Sequence, residues 1–107
     1  MTQHYQITTF TNEPVAAGVQ PDTMIVLEGH WYFAPSVVDM QYLRVTERTY
    51  TCPYKGVCYW IDLEAPGARA QNIAWVYRDP KPGFEIIKDW IGFYARDTAG
   101  THARSPR

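Results

Sequence analysis

The sequence has no long apolar run, and this absence excludes a broad class of proteins. A membrane-spanning helix needs about 18 or more consecutive apolar residues, and no such run occurs. The first residues, Met1 to Gln6, show no basic stretch followed by an apolar one, so no signal peptide is predicted. We therefore expect no membrane interaction and a cytoplasmic location.

Cysteine and lysine are also scarce, and the net charge is small. Two cysteines are too few for a disulfide framework, and a net charge of −1 with three lysines is unlike a nucleic-acid-binding surface. Cys52 and Cys58 stand six positions apart with no histidine near them, so the ligand spacing of a zinc site is missing. We expect no metal, no cofactor and no nucleic-acid partner.

Aromatic residues, by contrast, are abundant. Eight Tyr, four Trp and four Phe occur among 107 residues. Such side chains bury large areas, and the polar tips of Tyr and Trp need partners. This composition favours either a β-rich core or an aromatic-lined pocket in one small domain.

The chain divides into three predicted segments. Residues 1–22 are polar, contain Pro14 and Pro21, and are predicted to form an irregular arm. Residues 23–95 are predicted to be the single folded domain. Residues 96–107 have little apolar content and are predicted to be a disordered tail.

Two hairpins and one short helix are predicted within the folded segment. Met24 to Leu27 and Trp31 to Phe33 flank a glycine, which favours a tight turn. Val57 to Leu63 and residues 71–77 form the second hairpin. Helical spacing of i, i+3, i+4 and i+7 predicts a short helix near the C-terminus, although residues 91–95 could instead be a closing strand. The residues with this spacing are Ile87, Trp90, Ile91 and Tyr94.

The segment Cys52-Pro53-Tyr54-Lys55-Gly56 is the most distinctive motif in the chain. Pro53 and Gly56 break the strand, so Tyr54 and Lys55 are expected on a turn. Lys55 could direct its charge at an anion, or it could be an ordinary solvated lysine. Cys52 could be a nucleophile activated by Lys55, or a small buried hydrophobe. Both are candidate catalytic residues.

Aromatic side chains near this motif are candidate pocket walls. Strand parity allows some of them to line one concavity, whereas the alternative is ordinary core packing. The candidate ligand-binding residues are Trp31, Tyr54, Lys55, Trp60, Trp75 and Tyr77.

The five-residue motif, followed by Tyr59-Trp60, Ala74-Trp75-Val76-Tyr77 with Pro80, and Ile91-Gly92-Phe93-Tyr94, resembles the family called domain of unknown function 427. The resemblance implies a mainly β fold of two antiparallel sheets in a β-tent arrangement. Proteins of similar fold carry zinc on paired Cys-x-x-Cys motifs, which this sequence lacks. The family also bears a label that suggests nucleotidyl transfer, but no Mg²⁺-binding carboxylate set or phosphate cradle accompanies it here.

Three functions remain open from the sequence. The first is a module that binds a small molecule or a modified side chain in an aromatic pocket near Lys55. The second is an enzyme in which Cys52 or Lys55 acts as nucleophile or base. The third is a structural or protein-interaction module. The sequence does not predict the oligomeric state.

Overall fold

Nine β-strands and three single 3₁₀ turns make up the part of the chain, residues 3–106, that the computed structural model describes. The strands are β1 (Gln3–Thr9), β2 (Pro14–Gln20), β3 (Met24–Leu27), β4 (His30–Phe33), β5 (Leu43–Cys52), β6 (Gly56–Ala65), β7 (Ala68–Tyr77), β8 (Ile91–Tyr94) and β9 (Thr101–Arg104). The 3₁₀ turns are Pro35–Val37, Met40–Tyr42 and Glu85–Ile87.

The strands form two antiparallel sheets. One has six strands in the order β3-β4-β8-β7-β6-β5, and the other has three in the order β2-β1-β9. The predicted fold class, mainly β with two antiparallel sheets, is confirmed. Both predicted hairpins are present, and the first turns through Glu28 and Gly29, both at positive φ (53° and 79°), as a tight two-residue hairpin requires.

The main core lies between the two sheets. Ile7 and Val15 of the small sheet are buried in one cluster with Phe33, Ile61 and Phe93 of the large sheet. These three large-sheet residues lie on strands β4, β6 and β8 and are almost fully buried. Because side chains alternate along a strand, the residues between them point to the opposite face of the large sheet.

That opposite face carries a second, more polar cluster. Tyr32, Cys58, Trp75 and Tyr77 are buried there with Cys52, although no second sheet of the described residues covers them. The loop after β7 covers part of this face, because its residue Ile87 is fully buried in the same cluster. The large sheet therefore has one closed face and one partly open face.

The two terminal segments differ from their predictions. The predicted irregular arm, residues 1–22, contains β1 and β2, and the predicted disordered tail contains β9. Backbone pairing between β1 and β9 joins residues nearly a whole chain length apart, and such pairing leaves no local periodic signal. Pairing within the small sheet makes these two terminal segments ordered, although their weakly apolar sequences do not predict strands.

The predicted helix near the C-terminus is wrong. One 3₁₀ turn, Glu85–Ile87, occurs there, and β8 follows it as a central strand of the large sheet. Asp89 at positive φ (64°) interrupts helical backbone, and Ile91 and Phe93 then alternate with Gly92 across the sheet. The alternative prediction of a closing strand at residues 91–95 is confirmed for 91–94. Within residues 3–106, no helix has the length and apolar character needed to cross a bilayer.

Candidate ligand-binding site

A cavity of about 220 Å³ opens on the face of the large sheet that the small sheet does not cover. Strands β4 to β8 supply most of its wall, and the turns after β3 and β5 close one side. The lining residues are Leu27, Glu28, His30, Tyr32, Tyr50, Cys52, Lys55, Cys58, Trp60, Trp75, Tyr77 and Tyr94.

Trp75 is the centre of the aromatic wall. Its ring meets those of Trp60 and Tyr32 edge-on, with centroids 6.0 and 6.1 Å away, and those of Tyr94 and His30 at 5.0 Å each. The indole Nε1 donates a hydrogen bond of 3.1 Å to the Tyr32 hydroxyl. This bond satisfies a buried donor and fixes the ring that forms the cavity floor.

Gly92 makes this arrangement possible. Tyr32 and Trp75 both pair with Gly92, from β4 on one side and β7 on the other. A Cβ atom at this position would lie 2.4 Å from Trp75 Nε1 and 2.9 Å from the Tyr32 ring. The two rings therefore reach each other over β8 only because glycine has no side chain.

Lys55 is held over the cavity by contacts on both its side chain and its backbone. Its side chain is only 12% exposed and contacts the Glu28 carboxylate, and its Nζ lies 5.7 Å from the Phe84 ring centroid. Lys81 braces the turn, since its amide donates to the Lys55 carbonyl at 2.9 Å and its Nζ donates to the Pro53 carbonyl at 3.1 Å.

The surroundings of Lys55 keep it protonated. Burial alone would lower the pKa of its ammonium group, but the hydrogen bond to Glu28, together with the nearby Cys52 and Glu28 charges, outweighs burial and raises the pKa. At neutral pH this side chain is therefore a cation and a hydrogen-bond donor.

Cys52 lies beside Lys55 and has a thiolate-favouring environment. The Lys55 amide donates to its Sγ at 3.4 Å across the turn. Burial would raise the pKa of this thiol, yet the amides of Lys55 and Tyr54 and the Lys55 ammonium outweigh burial and lower it. The motif therefore both buries the Cys52 sulfur and favours its thiolate form.

Four further side chains of the cavity have pKa values shifted toward their neutral forms. Burial raises the pKa of the Tyr32, Cys58 and Tyr77 side chains, most strongly for Tyr77, whose neighbour is the Cys58 thiol. Burial and the Lys55 charge lower the pKa of His30. Across residues 3–106, no group of three or more His, Cys, Asp or Glu side chains is placed to hold a metal ion.

A family model described as a domain of unknown function, DUF427, matches residues 5–103. The chain belongs to the DUF427 family. No curated protein matches the chain. The matched range of this DUF427 domain includes most of β1, all of β2 and most of β9, so the small sheet is part of the family's domain rather than an addition to it.

The DUF427 cavity brings together five of the predicted site residues and leaves two outside. The five that line it are Cys52, Lys55, Trp60, Trp75 and Tyr77. Trp31 faces the main core, where its ring packs 4.8 Å from that of Tyr5. Tyr54 stands 70% exposed at the tip of the turn, away from the cavity.

Several lining residues were not predicted as site residues, notably Glu28, His30, Tyr32 and Tyr94. Tyr32 and Tyr94 become neighbours of Trp75 only through the strand order, which places β8 between β4 and β7. Glu28 lies 27 residues from Lys55 in the chain. In the sequence, only its position at the tip of a predicted hairpin indicated that the Glu28 carboxylate could reach another segment of the chain.

Proposed function

We propose that the cavity binds a small planar molecule that presents a hydrogen-bond acceptor or an anionic group to Lys55. The observation that carries this proposal is a protonated, nearly buried lysine in the lining of a cavity whose other walls are mostly aromatic. Aromatic rings supply contact area and stacking to a flat ligand, and the ammonium group supplies orientation.

The charges around the cavity favour this class over a cationic ligand. Lys55 lines the cavity, and Arg96, which is not among the lining residues, lies over the ring of the lining residue Tyr94 at 4.8 Å from its centroid. Glu28 is the single carboxylate among the described residues that line the cavity, so it offsets only part of the combined charge of Lys55 and Arg96. A cationic modified side chain would be repelled by both basic groups.

The size of the cavity restricts the ligand further. Its volume of about 220 Å³ lies below the roughly 300–1,000 Å³ of pockets that hold drug-sized ligands. A single aromatic ring with a carboxylate, amide or ketone substituent suits this space. The raised pKa of Lys55 argues against the alternative in which this amine is a general base or nucleophile.

A screen of small aromatic carboxylates, amides and ketones by thermal shift and ligand-observed NMR tests the proposal. Lys55→Met removes the charge inside the cavity, and Lys88→Met removes the same charge from an exposed position outside it. We expect wild type and Lys88→Met to bind the same compounds. Lys55→Met should bind them about 10- to 100-fold more weakly, since one charged hydrogen bond contributes roughly 1.5–3 kcal/mol. Equal binding by Lys55→Met would refute the anchoring role.

A further inference from the structure

The two cysteines of the cavity are close in the fold but differ in environment. Tyr50 pairs with Cys58, and Cys52 is two residues further along β5, so the cysteines are diagonal neighbours on adjacent strands. Cys52 accepts from the Lys55 amide and lies near its ammonium group. Cys58 is buried against Tyr77. The pKa of the Cys52 thiol is lowered and that of the Cys58 thiol is raised, so Cys52 is the better candidate nucleophile of the two.

Two buried phenols present their hydroxyl groups to the same cavity. Tyr32 and Tyr77 are only 2% and 3% exposed, and both line the cavity. The Tyr32 hydroxyl accepts from Trp75, which leaves its own proton free to be donated. The Tyr77 hydroxyl is hydrogen-bonded to the Cys58 thiol, which is a weak acceptor. A ligand oxygen would be a stronger acceptor for both phenols.

We infer that the cavity is a covalent site for small α,β-unsaturated carbonyl compounds, with Cys52 as the nucleophile and the Tyr32 and Tyr77 hydroxyls as donors to the carbonyl oxygen. This inference rests on the proposed function, because the same cavity must first bind the compound. It adds a chemical class of ligand and a reaction.

The reaction is a conjugate addition with no leaving group. The thiol proton passes to solvent, and the Cys52 sulfur forms a bond with the β-carbon of the ligand. The π electrons of the carbon–carbon double bond move toward the carbonyl oxygen, where the two phenolic donors stabilise the enolate. The α-carbon then takes a proton from solvent, so that the net change is addition of S–H across the double bond. No oxidant, reductant or further reactant is consumed.

The first test uses N-phenylacrylamide with the folded full-length chain, and mass spectrometry of peptides assigns the modified cysteine. We expect reaction at Cys52, with a rate that saturates as the probe concentration rises because a complex forms first.

Cys58→Ala should react at the wild-type rate. At saturating probe concentration, Lys55→Met should react several-fold more slowly at pH 7 and regain rate at higher pH, since its thiol needs a higher pH to ionise. Tyr77→Phe, which keeps the ring, should react several-fold more slowly at every pH.

The saturated analogue N-phenylpropanamide separates this inference from the proposed function. It has nearly the same size and shape as the acrylamide but cannot react, so quenching of tryptophan fluorescence reports binding alone. If the analogue binds while Cys52 reacts with N-phenylacrylamide no faster than in the urea-unfolded chain, the covalent inference is overturned and the binding function stands. Reaction mainly at Cys58, or a rate that never saturates, would also overturn it.

Discussion

The two faces of the six-stranded sheet are built from alternate residues of the same strands but serve different ends. On one face Ile91 and Phe93 pack into a core closed by the small sheet. On the other, Gly92 lies against Trp75 and Tyr32, and Tyr94 lines a cavity that no sheet of residues 3–106 covers. The closed face is mostly apolar, whereas the open face carries lysine, cysteine, histidine and phenol groups. The comparison indicates that the closed face supplies stability and thereby allows the open face to keep space and polar groups, as the proposed ligand-binding function requires.

The largest effect should follow truncation of the closed face. Phe93 is almost fully buried, and its ring packs edge-on against Phe33 at 5.7 Å. We expect Phe93→Ala to lower the free energy of unfolding by about 3–5 kcal/mol, as removal of a core phenylalanine usually does. Tyr94→Ala, one residue further along and partly exposed at the rim, should cost clearly less in urea denaturation. Equal losses of unfolding free energy in Phe93→Ala and Tyr94→Ala would contradict the proposed difference between the two faces.

A smaller loss of stability should follow from filling the gap over β8. Gly92→Ala places a methyl group against Trp75 and Tyr32, and overpacking of this kind costs roughly 1–3 kcal/mol. Because the closest contact is with the Trp75 indole, the double variant Gly92→Ala/Trp75→Phe should lose less than the sum of the two single variants. Strict additivity in urea denaturation would show that the contact is not the cause.

The pH dependence of stability should come from the open face. The pKa of Tyr77 is raised in the folded chain, so its contribution to stability is fully present below its ordinary value of 10.0 and is lost as the pH rises above it. Above pH 10 we expect wild type to lose stability relative to Tyr77→Phe by about 1 kcal/mol per pH unit. Tyr54→Phe is the control for loss of an exposed phenol. Parallel stability curves for wild type and Tyr77→Phe between pH 8 and 11 would contradict the account.

Sequence patterns predicted the parts of this fold that depend on local signals. The hairpins follow from apolar runs separated by glycine, and the placement of Trp75 and Tyr77 on one strand face follows from their spacing of two. The motif at Cys52 and Lys55 was found because proline and glycine mark a turn. These signals were enough to locate one side of the candidate site.

The remaining features depend on contacts between distant segments. Trp31, Tyr32 and Phe33 are all aromatic, so no alternation shows which of them faces the core, and the prediction chose Trp31 where Tyr32 lines the cavity. The helical spacing near residue 91 was incidental, because a central strand between β4 and β7 is buried on both faces. Pairing of β1 with β9 is similarly invisible in local sequence.

The most direct test of the central claim is a two-dimensional NMR titration that follows the indole N–H signals of Trp60, Trp75 and Trp31. The first two line the cavity and the third lies in the closed core, so the molecule contains its own control. With the strongest binder from the screen of aromatic carboxylates, amides and ketones, we predict that the Trp60 and Trp75 signals shift while that of Trp31 does not. The shifts should require a higher ligand concentration in Lys55→Met. Shifts confined to Trp31, or no shift at Trp60 and Trp75 under saturating ligand, would contradict the account.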